Sequence, residues 1–370
     1  MRVAIVLNTS WNIYNFRMGM VKSMISQGYE VFAVAPEDSY SEKLEEAGCT
    51  FVPVKMDSRG ANPLKDMLLT FELLKIYRQI KPDLIFHFTI KPNIYGTFAA
   101  ALLGIPAVNN VCGLGTVFLK DNLVSKVAIM MYKVAFRFPR KIFFQNPDDR
   151  ELFINRKLAT VTKTDVLPGS GINTEHFSPK ERKADDAFTF LMISRIIYDK
   201  GILEYINAVK MLRERGINAR FQLLGPKDPA HKRGIPLEII DKWIEEGIVE
   251  YLGTTNDVRE AISEADCVVL PSYREGTPRT LLEAASMAKP LIATNVPGCT
   301  NVVQDDYNGL LCELRDSEDL ASKMLKMYNA SAVERAEMGN RGRVKVVNEF
   351  DEKIVIEKYQ DCITSHQQSA

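Results

Sequence analysis

Short apolar runs separated by helix-length segments run through the sequence in two series, and that alternation constrains the fold more than any other feature. The first series is "RVAIVL" (2–7), "EVFAVA" (30–35), "TFVPV" (50–54), "DLIFHF" (83–88), "PAVNNV" (106–111) and "KIFFQN" (141–146). Runs of four to eight residues this apolar read as strands buried on both faces, and segments such as 62–80 and 93–103 between them read as covering helices. Strands and helices in strict turn imply a parallel sheet wrapped on both sides. The pattern pauses over the polar, turn-rich stretch 167–187. It restarts with "FTFLMIS" (188–194), "ARFQLLG" (219–225), "IVEYLG" (248–253), "DCVVLP" (266–271) and "PLIATN" (290–295), and closes in helices near 317–328, 331–348 and 351–363. The expectation is an α/β protein of two Rossmann-like doubly wound domains facing a central cleft. The first spans 1–168 and binds one substrate. A linker covers 169–187, the second domain 188–350, and a last helix within 351–370 packs back toward the first domain. Ligands of such sheets bind beyond the carboxyl ends of the strands.

A chain of 370 residues exceeds one ordinary core. The six cysteines form no CxxC pair and sit among apolar residues, so they read as free thiols rather than a disulfide frame or zinc site. The start "MRVAIVLN" is strand-like, unlike a signal peptide, and no apolar run reaches membrane-spanning length. Lys and Arg balance Asp and Glu at 47 each, which argues against a nucleic-acid binder. The charge is uneven, however. Between Gly115 and Lys141 six basic residues stand against the single acid Asp121.

The stretch "SYREGTPRTLLEA" (272–284) follows a strand of the second series. Thr277 can cap a helix through its hydroxyl, with Pro278 at the first helical position. The free N–H groups of Arg279 and Thr280 then make an anion site. Glu275 stands just outside that site and Glu283 about one and a half turns deeper. Carboxylates beside a phosphate site suit hydroxyl recognition, and a sugar nucleotide carries hydroxyls on both sides of its diphosphate. A capped surface helix with two solvated acids is the competing reading of this stretch. In "ISRIIYDKG" (193–201), Arg195 and Lys200 stand at the same sheet edge, where a guanidinium fork and an ammonium can neutralise a diphosphate leaving group.

Taken together, Glu275 and Glu283 resemble the E-x7-E signature of the retaining glycosyltransferases of family four, within a GT-B fold. "SRIIYDKG" is similar to that family's diphosphate element, and "GSGINTEHFSP" (169–179) to its domain-junction segment. The resemblance covers essentially the whole chain. "NIYNFRMGM" (12–20) and "TIKPNIYGTFAA" (89–100) resemble bacterial enzymes that extend polyprenyl-diphosphate-linked sugars, the α-1,3-N-acetylgalactosaminyltransferases among them. The resemblance implies that Arg195 and Lys200 hold the donor diphosphate, that Glu283 accepts from the ribose, and that Glu275 binds the transferred hexose or N-acetylhexosamine of a UDP-sugar. Gly276, Thr277, Arg279 and Thr280 would shape the phosphate pocket, and Gly253 and Thr254 the wall around the base. It further implies no cofactor, no metal and no separate general base, with Arg and Lys supplying the electrostatics a divalent ion supplies elsewhere. Many relatives carry a histidine in the loop after the fifth strand. "NNVCGLGTVF" has none, and His87 at the end of the fourth strand is the candidate substitute, with a satisfied core histidine as the alternative.

On the acceptor side, Asn12, Tyr14 and Arg17 follow the first strand, and Lys91 and Asn93 the fourth. Arg17 and Lys91 are candidates for an acceptor diphosphate, or for ordinary surface pairing. In "NLVSKVAIMMYKVAFRFPRK" (122–141), Lys126, Lys133 and Arg137 fall on one helical face beside a broad apolar surface. A basic amphipathic helix can lie on an anionic membrane or pack its apolar side on its own domain. The expected protein is a cytoplasmic glycosyltransferase, peripheral at the inner face of the membrane, acting on a lipid-linked saccharide. The alternatives are another GT-B enzyme, such as a nucleotide-sugar epimerase, and a non-catalytic sugar-nucleotide-binding protein. A nicotinamide-dependent oxidoreductase is disfavoured because "NTSWNIYNF" after the first strand lacks G-x-G-x-x-G.

Overall fold

The computed structural model describes residues 1–57, 63–113, 123–182 and 187–368. The chain divides into two units, Met1–Gly171 with the final helix Glu352–Gln367, and Ile172–Asp351.

The first unit is built on seven strands: β1 (Arg2–Val6), β2 (Glu30–Ala35), β3 (Thr50–Pro53), β4 (Leu84–Phe88), β5 (Ala107–Val111), β6 (Lys141–Phe144) and β7 (Thr164–Val166). They pair in parallel in the order β3-β2-β1-β4-β5-β6-β7. Every residue of β4 and β5 is buried, as expected of central strands covered on both faces. Apolar side chains on one face pack on the helices Ser10–Ser26 and Glu352–Gln367. Those on the other pack on Pro63–Ile80 and Thr97–Leu102. Tyr359 from the final helix is wedged edge-on against Phe86, Phe88 and Phe143, so that helix is part of the first unit's core.

The second unit carries β8 (Phe188–Ile193), β9 (Ala219–Leu224), β10 (Glu250–Tyr251), β11 (Cys267–Leu270), β12 (Leu291–Thr294) and β13 (Gly309–Cys312), parallel in the order β10-β9-β8-β11-β12-β13. The strand order reverses between β1 and β4 in one sheet and between β8 and β11 in the other. At such a reversal the loops leave to opposite faces and open a crevice at the carboxyl edge.

The structure departs from expectation in three places. The stretch expected as a linker is built into the second unit from Ile172 onward. Ile172 and Phe177 are buried in its core, Ser286 Oγ donates to the Phe177 carbonyl at 2.7 Å, and Thr174 donates to Asp351 at 2.5 Å. Its Gly, Asn and Pro residues make turns that happen to be packed, and composition alone does not separate the two cases. β7 and β13 were not anticipated: β7 reads Thr-Asp-Val with a single apolar residue, and β13 opens on Gly309 directly after a polar turn. The segment expected as one helix over 93–103 opens as a wide i→i+5 turn, Pro92–Gly96, before the α-helix Thr97–Leu102.

Candidate active site

The β8/β11 reversal collects the residues that the sequence singled out. Arg195 and Lys200 lie on the loop leaving β8, and Glu275 through Thr280 on the loop and helix leaving β11. Two glycines let these loops meet. Gly201 has φ +74°, and a Cβ there would lie 2.0 Å from the Pro271 carbonyl oxygen. Gly298, after β12, has φ +88°, and its Cβ would lie 2.5 Å from the Glu275 oxygen. The loops are then fastened: Tyr273 N and Ser272 Oγ both donate to the Asp199 carbonyl, at 3.0 and 3.2 Å.

Within this frame each glutamate holds a cation. Lys200 Nζ is 2.5 Å from Glu275 Oε1, and Arg279 Nε is 2.8 Å from Glu283 Oε1. All four side chains are largely withdrawn from solvent. Burial pushes the Glu283 carboxyl up from its ordinary value, and Arg279 opposes the shift. Arg195 is half exposed, with Nη1 4.0 Å from Asp228 Oδ2, and so remains available to a ligand. The helix begins at Arg279, and Pro278 occupies the capping position with extended backbone (φ −72°, ψ 110°) and no side-chain cap. The helix therefore starts one residue later than expected. Thr280 Oγ1 donates to the Ile193 carbonyl at 3.2 Å, tying the helix start to the end of β8. Gly253, with φ +76°, and exposed Thr254 lie on the loop after β10. The Gly253 carbonyl accepts from Gly225 N at 2.8 Å.

Sequence reasoning missed several neighbours. Asp257 is bound by Arg259 at 2.5 Å, which holds its carboxyl down at about 2. His176 approaches Arg259 at 3.4 Å and is held below its ordinary value by burial, then by Arg259. The Asp257 charge raises Glu283, and Arg279 lowers His176, so the group borders the Arg279–Glu283 pair. Tyr273 donates to Glu204 at 2.8 Å beneath the Arg315 guanidinium, which braces the loop before Glu275. Burial, followed by the Glu204 bond, raises the Tyr273 hydroxyl to about 12. The sequence signal for these residues is only their position after strands.

The first unit corrects several expectations. His87 is fully buried. Its ring bonds Tyr77 Oη at 2.9 Å and Asn109 Oδ1 at 3.1 Å, and burial lowers it to about 4. A ring with both nitrogens engaged and no exposed surface is a neutral core histidine, so the catalytic expectation fails. Asn93 is also fully buried, donating to the Asn110 carbonyl at 2.8 Å, and holds β5 rather than facing a ligand. Lys91 is paired with Asp66 at 2.5 Å, both largely buried. Arg17 is 5% exposed. It lies 4.6 Å over the Phe88 ring, donates to the Phe16 carbonyl at 2.9 Å and approaches Cys112 Sγ at 3.7 Å. Asn12 and Tyr14 remain half-buried at the start of the first helix, Asn12 N donating to the Thr9 cap at 3.1 Å.

The helix Leu123–Ala135 turns Tyr132 and Ala135 inward, and Phe136 just beyond it is buried too. Lys126, Lys133 and Arg137 are exposed, and so are Val127, Met130, Val134 and Phe138, with Met130 at 69%. Packing on its own unit therefore uses only part of the apolar surface. Among the described residues no helix is long and apolar enough to cross a membrane, and no group of three His, Cys, Asp or Glu residues is placed to hold a metal ion.

Two parallel-sheet Rossmann-like units, with cations and spaced glutamates gathered at the second sheet's reversal, define a glycosyltransferase of the GT-B class. The chain belongs to that family: residues 187–330 match "Glycosyl transferases group 1" and residues 2–146 match "Glycosyl transferase 4-like". It is 28% identical over 376 residues, 97% of each chain, to the N,N'-diacetylbacillosaminyl-diphospho-undecaprenol α-1,3-N-acetylgalactosaminyltransferase of Campylobacter jejuni. It is 26% identical to a UDP-Gal:α-D-GlcNAc-diphosphoundecaprenol α-1,3-galactosyltransferase of Escherichia coli, over 84% of this chain and 82% of that one. Among solved structures, a glycosyltransferase from Rickettsia africae superposes with a TM-score of 0.82 at 15% identity, covering 100% of this chain and 99% of that one. HepE of Anabaena in complex with UDP superposes with a TM-score of 0.79 at 16% identity, covering 99% and 100%.

Proposed function

We propose that the protein is a retaining, metal-independent glycosyltransferase that moves a hexose or N-acetylhexosamine from a UDP-sugar to a polyprenyl-diphosphate-linked saccharide. The observation that carries the donor half is the double ion pair at the β8/β11 reversal, Lys200 with Glu275 and Arg279 with Glu283. A donor diphosphate entering there draws Lys200, Arg279 and exposed Arg195 onto its oxygens. Their partner carboxylates are thereby released to accept from hydroxyls, Glu275 from the transferred sugar and Glu283 from the ribose. The amides at the start of the helix Arg279–Ser286 add a fixed positive end. Bond breaking puts negative charge on the leaving phosphate, and these preorganised cations stabilise it. The departing phosphate takes the acceptor proton, so the reaction asks for positioning rather than a side-chain base.

The acceptor half rests on the two lipid-diphosphate-sugar relatives, each similar over most of its length. It is supported by the surface of the first unit. Exposed Met130 shares a face of the helix Leu123–Ala135 with Lys126 and Lys133, exposed Arg137 and Phe138 follow its end, and exposed Met67, Leu68 and Phe71 lie on the helix Pro63–Ile80. Apolar side chains interleaved with cations suit an anionic bilayer that presents such an acceptor.

The test is a transfer assay pairing UDP-hexoses and UDP-N-acetylhexosamines with polyprenyl-diphosphate sugars, with and without a chelator. The product's anomeric configuration is then read by NMR. An α-linked product from an α-linked donor, at a rate unchanged by chelation, is expected. An inverted linkage or a chelator-sensitive rate overturns the mechanism.

A further inference from the structure

Three buried side-chain polar atoms in the described part of the first unit have no hydrogen-bond partner: Asn8 Oδ1, Arg17 Nε and Thr89 Oγ1. Buried polar atoms are almost always paired, so each orphan asks for an explanation. Their location supplies one. Asn8 follows β1, Thr89 follows β4 directly, and Arg17 is on the helix after β1. β1 and β4 are the two strands between which the first sheet reverses its order. Their register pairs Val6 with His87, and Asn8 and Thr89 each lie two residues further on, past the carboxyl ends of these neighbouring strands. Arg17 joins them through Phe88, the residue before Thr89, by lying over its ring.

The backbone makes an independent point. Thr89 has φ +66°, in the left-handed region that a β-branched residue rarely enters. Glycine would sit there without strain. A strained, β-branched residue whose hydroxyl is left unpaired at a sheet reversal marks a place where the side chain does something other than hold the fold.

We propose that Asn8 and Thr89 form the acceptor-sugar site of the first unit. The Asn8 amide oxygen accepts from a hydroxyl of the acceptor carbohydrate, and the Thr89 hydroxyl bonds a neighbouring one. The Arg17 guanidinium, buried with no carboxylate partner among the described residues, gives the crevice a positive field that favours an anionic, diphosphate-bearing sugar over a neutral one. The site rests on the acceptor reading given above, but it uses none of the donor-site residues.

The test uses the full chain with UDP-N-acetylhexosamine as donor and two acceptors: a short-chain polyprenyl-diphosphate N-acetylhexosamine and the same sugar without phosphate or lipid. Thr89→Gly relieves the strain and removes the hydroxyl. It is expected to melt at a higher temperature than the parent, yet to raise the acceptor KM roughly tenfold, the loss of one or two hydrogen bonds. Thr89→Val keeps the branch and loses the hydroxyl, and it should raise the acceptor KM similarly. Thr89→Ser should stay within about twofold of the parent. Asn8→Ala should match Thr89→Val. In all four variants UDP affinity and slow donor hydrolysis stay at parent values. Arg17→Met should narrow the preference for the diphosphate-bearing acceptor over the neutral sugar.

If Thr89→Gly and Thr89→Val leave the acceptor KM unchanged while the parent transfers normally, the site is wrong and the orphaned atoms bind only water. If the parent transfers to neither acceptor, the acceptor reading itself fails. A Thr89→Gly protein that melts lower than the parent removes the strain argument.

Discussion

Replacing Lys200 by Met and Glu275 by Gln, singly and together, separates charge from shape at the donor site. In the unliganded protein the two groups are 2.5 Å apart and largely buried. A diphosphate that recruits Lys200 must break this pair. Lys200→Met removes one charge-assisted contact to the diphosphate, about 1.5–3 kcal/mol. It also leaves Glu275 unneutralised beside the anion. At an effective dielectric of ~20, two like charges ~5 Å apart repel by about 3 kcal/mol, of which partial exposure leaves only part. UDP affinity should fall roughly 100-fold or more, with tenfold per 1.4 kcal/mol. Glu275→Gln has the opposite sign for UDP alone. Lys200 is freed from its partner and the repelling charge is gone, so UDP should bind as tightly as to the parent or up to ~tenfold tighter. Turnover should nonetheless collapse, because the amide cannot receive the sugar hydroxyls as the carboxylate does. The double variant should bind UDP more tightly than the sum of the two single effects predicts, a coupling that calorimetric titration with UDP measures directly. If Glu275→Gln weakens UDP as much as Lys200→Met does, or if the two effects simply add, the exchange of partners does not occur.

Three further outcomes follow from the geometry. His87 titrates at about 4 in the fold, below its ordinary ~6.5, so between those values the unfolded chain binds a proton that the folded chain lacks. Its contribution is complete above about pH 6.5 and is lost as pH falls toward 4, by at most about 3 kcal/mol. Denaturant titrations should show a loss of about 1–2 kcal/mol near pH 5 that His87→Gln does not share, and turnover of that variant should stay within several-fold at pH 7.5. A thousandfold loss of turnover in a stably folded His87→Gln protein would restore a catalytic role. Gly298→Ala places a methyl 2.5 Å from the Glu275 carbonyl at φ +88°. It should cost about 1–3 kcal/mol of stability and lower kcat more than UDP affinity, as seen by comparing melting curves with steady-state rates. Finally, Lys126, Lys133 and Arg137 changed together to Glu should abolish co-sedimentation with anionic vesicles while leaving transfer to a detergent-solubilised acceptor intact. Full sedimentation of the triple variant would refute the membrane face.

The alternation of apolar runs determines most of the architecture, because strands buried on both faces must be continuous and apolar. Eleven of the thirteen strands among the described residues are legible this way; β7, with one apolar residue, and β13, which opens on Gly309 after a polar turn, are not. The grouping of the proposed donor residues was legible in the same way. Arg195, Lys200, Glu275 and Glu283 all follow strands at one sheet edge, and a parallel sheet carries every such loop to the same side. What only tertiary structure decided is which polar residues are spent on the fold. His87, Asn93 and Lys91 stand at or just after the end of β4 much as the proposed donor residues stand after theirs, yet two are buried in hydrogen-bonded positions and the third is paired with Asp66. Asn8 and Thr89 open the stretches 8–16 and 89–100, yet nothing in the sequence singles them out within those stretches. A hydrogen-bond partner and a backbone angle are properties of the folded chain, set by residues tens of positions away, and no local pattern of letters encodes whether a buried oxygen will find its donor.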